Sequence, residues 1–153
     1  MWGWGGLGHL AVQYAHAMGA EVTVLSQSMN KKSEALDLGA DHYFATSDPD
    51  TFTTLSGRFD LILNTVSANL DVDAYLSMLR VDGTLVNVGA PTESDKYNVF
   101  SLLMGRRSIA GSLVGGIRET QVMLDFSAQH GIAPKIEVIR ADQVDEAYER
   151  VLR

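Results

Sequence analysis

Gly3-Trp4-Gly5-Gly6-Leu7-Gly8 spells G-x-G-x-x-G within the first ten residues of the chain. Each glycine has a physical task in such a loop. Gly3 permits a tight turn, Gly5 lets phosphate oxygens reach the main chain, and Gly8 lets the following helix pack close to a sheet. A helix beginning near Gly6 then offers unpaired N–H groups and the positive end of its dipole to a pyrophosphate. The motif belongs between a strand and a helix, yet only Met1 and Trp2 precede it here. Taken alone, it also fits a plain glycine-rich turn. Residues further along the chain decide between the two.

Working outward, Leu7 to Met18 is expected to be a helix closed by Gly19. Glu21-Val22-Thr23-Val24-Leu25 is a short apolar strand, and Lys31 to Leu38 a second helix stopped by Gly39. His42 to Ala45 is another short strand, and Asp48-Pro49-Asp50 starts a turn or a short helix. Leu61-Ile62-Leu63 is a buried strand by its apolar run. Asp71 to Leu79 is a helix with an acidic start, and Asp82-Gly83 turns into a strand from Thr84 to Val88. Asn98 to Met104 is helical, Ser108 to Val114 extended, and Arg118 to His130 helical up to Gly131. After Pro134 the alternation in Ile136-Glu137-Val138-Ile139 predicts a strand. Val144, Ala147, Tyr148, Val151 and Leu152 then mark one face of a last helix. Strands alternating with helices predict a parallel sheet covered on both faces.

Composition narrows the function. Hydrophobic residues make up 46% of 153 positions, a globular composition able to bury a core in one domain. The net charge of −7 disfavours nucleic acid and anionic membrane as partners. No apolar run reaches the ~18 residues of a membrane span, and no basic segment followed by an apolar stretch marks a secretory leader. A cytoplasmic protein is expected. Cysteine is absent, which removes disulfides, thiol nucleophiles and thiolate metal sites from this chain. His9, His16, His42 and His130 fall into no ligand spacing, so neither a metal site nor a catalytic residue is assigned.

The end of the second apolar stretch supports the glycine loop. In this architecture the residue there, ~20 positions on, meets the adenosine ribose, and an acid would bind its 2′-hydroxyl and repel a 2′-phosphate. The sequence has Leu25-Ser26-Gln27-Ser28-Met29-Asn30-Lys31-Lys32 instead. Two hydroxyls and Lys31 or Lys32 suit a dianionic phosphate. A serine N-cap before solvated lysines is the plainer alternative; the distance from the glycine loop favours phosphate.

At this point the chain resembles the medium-chain, zinc-dependent alcohol dehydrogenases, in particular their NADP(H)-preferring, cinnamyl-alcohol-dehydrogenase-like branch. The stretches that carry the likeness are residues 3–9, Ser26-Gln27-Ser28 with Lys31, Asn64-Thr65-Val66-Ser67-Ala68, Gly83 through Pro91, and Met104 through Gly116. They recur in order along nearly the whole chain. The resemblance implies a Rossmann-type doubly wound α/β sheet whose first strand is truncated. It further implies that Gly3, Gly5, Gly6, Leu7 and Gly8 serve the pyrophosphate, and Ser26, Ser28 and Lys31 the 2′-phosphate. Thr65 and Val66 would lie beside the adenosine or nicotinamide ribose. Val88, Gly89, Ala90, Ser112, Leu113 and Val114 would line the nicotinamide, with core packing the simpler role for Val88 and Val114. The Ser108–Val114 strand would pair with its mate in a homodimer.

Two departures qualify this. Gln27 stands where many relatives carry arginine, and the family's zinc ligands, four-cysteine lobe and proton-relay hydroxyl precede the coenzyme domain and are not found here. The expected organisation is an NADP(H)-binding domain over residues 1–131 and a segment over 132–153 returning to a catalytic domain. The parent activity would be zinc-assisted hydride transfer between NADPH and a small aldehyde or alcohol, the chain alone being inactive. A zinc-free quinone reductase and a stand-alone NADP-binding module are the alternatives; a methyltransferase leaves the later stretches unexplained. In the doubly wound order the first strand is central, so its truncation predicts an open slot in the sheet and marginal stability.

Overall fold

The computed structural model describes residues 6–151; Gly3 and Gly5 therefore lie outside the described residues. Helix α1 (Gly6–Ala17) stops where Gly19 enters the left-handed region at φ 82° and donates its N–H to the His16 carbonyl. The chain turns into β1 (Thr23–Ser26), passes a 3-10 turn at Met29–Lys31 and continues as α2 (Lys32–Asp37). Gly39, at φ 104°, sends it into β2 (His42–Ala45). Then come α3 (Asp50–Thr54), β3 (Phe59–Asn64), α4 (Val72–Met78), β4 (Leu79–Asn87), α5 (Phe100–Leu103) and β5 (Ser108–Gly111). Helix α6 (Ile117–His130) ends on left-handed Gly131, and α7 (Val144–Val151) follows a 3-10 turn at Ala141–Gln143.

All strand pairs are parallel. β1 pairs with β2, and β3–β4–β5 form a second ribbon in which Asn64 faces Asn87. Among the described residues no ladder joins β1 to β3. They face each other across a cleft of about 530 Å³ lined by Ala11 and Ala15 of α1, Val22 and Thr23, and Phe59, Leu61 and Leu63. Leu61, in the middle of a strand, is exposed there.

Helices cover both faces, as alternating side chains require. On one face Val12 of α1 and Ala35 of α2 pack on Val22, Val24, Ala40 and Tyr43. On the other, Leu25 and Phe44 join Leu55, Ile62, Tyr75, Leu76, Met78, Leu79 and Leu85. Phe52 meets Tyr75 edge-on at 5.4 Å between ring centroids. The result is a Rossmann-type α/β sheet.

Three details differ from the sequence expectation. Residues 136–139 are not a strand: among the described residues no strand pairs with them, and Ile136 and Val138 stand in solvent. Alternation without a neighbour does not make a strand. β5 stops at Gly111, three residues short of Val114. β4 is longer than expected because Asp82-Gly83 makes an irregularity within the strand rather than a turn before it. Asp82, at φ 64°, donates its N–H to the Gly105 carbonyl, and its carboxylate pairs with Arg106, itself at φ 48°. That hydrogen bond, and then the charge of Asp82, raise the Arg106 guanidinium above its ordinary value.

Candidate coenzyme site

In a parallel sheet the carboxyl strand ends and the helix N-termini that follow them share one edge, where ligands bind. Helix α1 leads into the amino end of β1 and is about 18 Å long, so its N-terminus lies toward the opposite, carboxyl edge. Gly6 and Leu7 are exposed and Gly8 is buried there, with no acidic residue in the first turn to compete with an anion.

Ser26 ends β1, with Ser28 and Lys31 just beyond it. Ser28 occupies the N-cap position of the 3-10 turn, but its side chain makes no capping hydrogen bond. The segment is held from behind. The buried Tyr43 hydroxyl donates to the Ser28 carbonyl at 2.7 Å, and the Thr46 N–H donates to the Ser26 carbonyl at 2.7 Å. No Asp or Glu stands between Ser26 and Lys32.

The other predicted residues lie on three loops that the structure ties together. The Asn64 carbonyl accepts the N–H groups of Val88 (2.9 Å) and Gly89 (3.1 Å), and the Asn87 carbonyl accepts that of Ser112 (3.0 Å). Between them, Asn64 Nδ2 donates to Asn87 Oδ1 at 3.0 Å, and Asn64 Oδ1 accepts the Val66 N–H at 3.0 Å. Thr65-Val66, Val88-Gly89 and Ser112 are thus drawn onto one frame. Gly89 lies so close to Val66 that a Cβ on it would stand 2.1 Å from the Val66 carbonyl oxygen. Ala90, Leu113 and Val114 are exposed past the strand ends.

Sequence reasoning missed the residues that hold the loops. Besides Asn64, Asn87 and Tyr43, Asn69 Nδ2 donates to the Glu93 carbonyl and to Asp95 Oδ1, both at 3.0 Å. The Asp73 carboxylate accepts the Asn98 N–H at 3.0 Å and the Ser101 hydroxyl at 2.5 Å. Together they pin residues 93–101 against the start of α4. One clue was available: two asparagines close two adjacent apolar strands.

The cleft between β1 and β3 draws mostly on strand beginnings and belongs to the sheet interior, not to this edge. No group of three or more metal-ligating side chains occurs among the described residues. The chain has no cysteine to supply a thiolate ligand.

A Rossmann-type parallel sheet with a helix N-terminus, hydroxyls and a lysine at the end of β1, and closely approaching loops after β3 and β4 is an arrangement on which a dinucleotide can bind. Residues 6–129 match the zinc-binding dehydrogenase family model, and the chain belongs to that family. It is 83% identical over 151 residues to the probable formaldehyde dehydrogenase AdhA of Bacillus subtilis (strain 168), covering 99% of this chain and 43% of that protein. A cinnamyl alcohol dehydrogenase of Sorghum bicolor superposes with a TM-score of 0.94 at 39% identity, over 99% of this chain and 43% of that one. The Helicobacter pylori cinnamyl alcohol dehydrogenase, solved in complex with NADP(H), superposes with a TM-score of 0.85 at 40% identity over the same shares. The chain spans less than half the length of these relatives.

Proposed function

We propose that this chain is the coenzyme-binding portion of an NADP(H)-dependent alcohol dehydrogenase or aldehyde reductase, with residues 1–131 as the coenzyme domain and 132–153 as a return segment. The observation that carries the reading is the carboxyl end of β1, where Ser26, Ser28 and Lys31 stand without an acid. There an adenosine 2′-phosphate meets hydroxyl donors and a cation instead of repulsion. The N-terminus of α1 offers its first-turn N–H groups and the positive end of its dipole to the pyrophosphate. Thr65, Val66, Val88, Gly89, Ala90, Ser112, Leu113 and Val114 line the path from ribose to nicotinamide.

Bound NADPH supplies the hydride, and this chain's residues hold and orient it. Zinc, as membership of a zinc-binding family implies, would polarise the carbonyl of a small aldehyde from ligands outside this chain, and the chain alone is expected to perform no turnover. The proposed setting is cytoplasmic. No helix among the described residues is long and apolar enough to cross a membrane. The exposed edge of β5, beside exposed Phe100, Leu103 and Met104, supports a homodimer with β5 at its centre.

The test is Lys31→Ala in the full-length protein. The Michaelis constant for NADPH should rise roughly ten- to a hundredfold, the worth of a charge-assisted contact of about 1.5–3 kcal/mol, while that for NADH stays nearly unchanged. Equal losses for both coenzymes refute the 2′-phosphate assignment.

A further inference from the structure

We propose that the side-chain amide pair Asn64–Asn87 is the positioning element for the nicotinamide half of the coenzyme site. The inference rests on the coenzyme reading above and extends it to residues that touch no predicted ligand group. Asn64 is 3% exposed, one of two buried polar residues beside sixteen buried apolar ones among the described residues. Burying an amide is unfavourable unless its hydrogen bonds are made, and an aliphatic side chain would fill the end of β3 at no such cost. What asparagine adds is direction.

Its Nδ2 is committed to Asn87 Oδ1 and its Oδ1 to the Val66 N–H, both at 3.0 Å. This sets the Thr65-Val66 loop close enough to Gly89 that only a residue without Cβ fits. Asn87 sits opposite Asn64 in the parallel register, and its carbonyl fixes Ser112. The side-chain pair therefore links the ends of β3 and β4 and holds the Val66 loop against them, while the main-chain carbonyls of the same two residues hold Val88, Gly89 and Ser112. Ser26, Ser28 and Lys31 lie across the cleft, on β1 and its following turn, where Tyr43 and Thr46 hold the segment without the pair. The two halves of the coenzyme thus have separate supports.

The experiment compares NADPH with adenosine 2′,5′-bisphosphate, which has the 2′-phosphate but no nicotinamide, as calorimetric titrants of the full-length protein. Asn87→Ala removes the acceptor of Asn64 Nδ2. It should weaken NADPH binding about three- to tenfold, the worth of a hydrogen bond, and leave adenosine 2′,5′-bisphosphate unchanged. Asn87→Asp keeps an acceptor at a half-buried position and should retain most of the NADPH affinity. Asn87→Ser carries the same comparison if the alanine variant does not fold. Equal weakening of both ligands, no weakening of either, or an aspartate variant as poor as alanine overturns the proposal. A wild-type protein that binds neither ligand instead overturns the coenzyme reading, and this inference falls with it.

Discussion

Replacing Gly89 by alanine adds one methyl group at the tightest backbone approach between two of the site loops. The new Cβ would stand 2.1 Å from the Val66 carbonyl oxygen, 2.5 Å from its carbon and 2.8 Å from its nitrogen, where ordinary contact begins at 3.4 Å. All three atoms are main chain, so no rotamer change relieves the overlap. The loops must part by more than an ångström, which pulls the Val88 and Gly89 N–H groups away from the Asn64 carbonyl. Overpacking of this kind costs about 1–3 kcal/mol, and one hydrogen bond about 1 kcal/mol more. The stiffer unfolded chain returns only about 0.4–1 kcal/mol. A net loss of about 1–3 kcal/mol is expected, large against the ~5–15 kcal/mol that hold a typical domain together. Gly111→Ala is the matched control, because the nearest atom to its Cβ, the Asn87 carbonyl oxygen, is 3.8 Å away. Urea denaturation followed by circular dichroism should show Gly89→Ala clearly weakened and Gly111→Ala near neutral. Equal midpoints for the two variants would refute the steric reasoning.

Single contacts set further outcomes. Asp71 Oδ1 accepts the Ala74 N–H at 3.1 Å as the N-cap of α4; Asp71→Ala should cost about 1 kcal/mol in urea and Asp71→Asn much less, and an unchanged alanine variant would discount the cap. Gly39→Ala combines a φ of 104° with a Cβ 2.7 Å from the His16 ring, and should lower the melting temperature more than Ala at Gly57, where φ is 65° and no atom lies within 4 Å. At the sheet edge, Ser112 donates its N–H to Asn87, so by strand alternation Gly111 points its own N–H outward. Gly111→Pro removes that donor without touching the β4 ladder and should shift the full-length protein from dimer to monomer in sedimentation; a persisting dimer, or a monomeric wild type, rules out pairing through β5.

The fold was legible because its punctuation is chemical. Gly19, Gly39 and Gly131 all occupy left-handed backbone at helix ends, and the apolar runs at Val22–Leu25 and Leu61–Leu63 lie within or beside strands. The 136–139 segment misled because alternation records what a strand would expose and bury, while strand formation also needs a neighbour to receive its hydrogen bonds. Asp82-Gly83 misled in the opposite sense: a turn-forming pair was absorbed as an irregularity, since Asp82 found the Gly105 carbonyl and Arg106 across the strand end. Of the proposed site, residue type alone marks the glycines and the hydroxyl-rich end of β1 as candidates, since it limits what can bind there. The supports were not. Asn64 and Asn87 are 23 positions apart in sequence, and nothing local distinguishes a bracing asparagine from a solvated one.

The gap between β1 and β3 bears on cooperativity. The α1–β1–α2–β2 portion keeps a private cluster around Val12, Val24 and Tyr43. It meets the β3–β4–β5 ribbon through Leu25 and Phe44, which enter the larger cluster although, among the described residues, no ladder joins β1 to β3, and it meets α6 and the segment beyond through Tyr14 on Ser127 and Glu34 on Lys135. Side-chain packing unaided by strand pairing yields a seam along which one portion opens while the other stays closed. Melting should then proceed in two overlapping stages, violating the all-or-none behaviour usual for small domains. Amides of β1 and β2 would exchange with solvent through a lower-energy opening than those of β3 and β4, so the adenosine grip would loosen before the nicotinamide frame does.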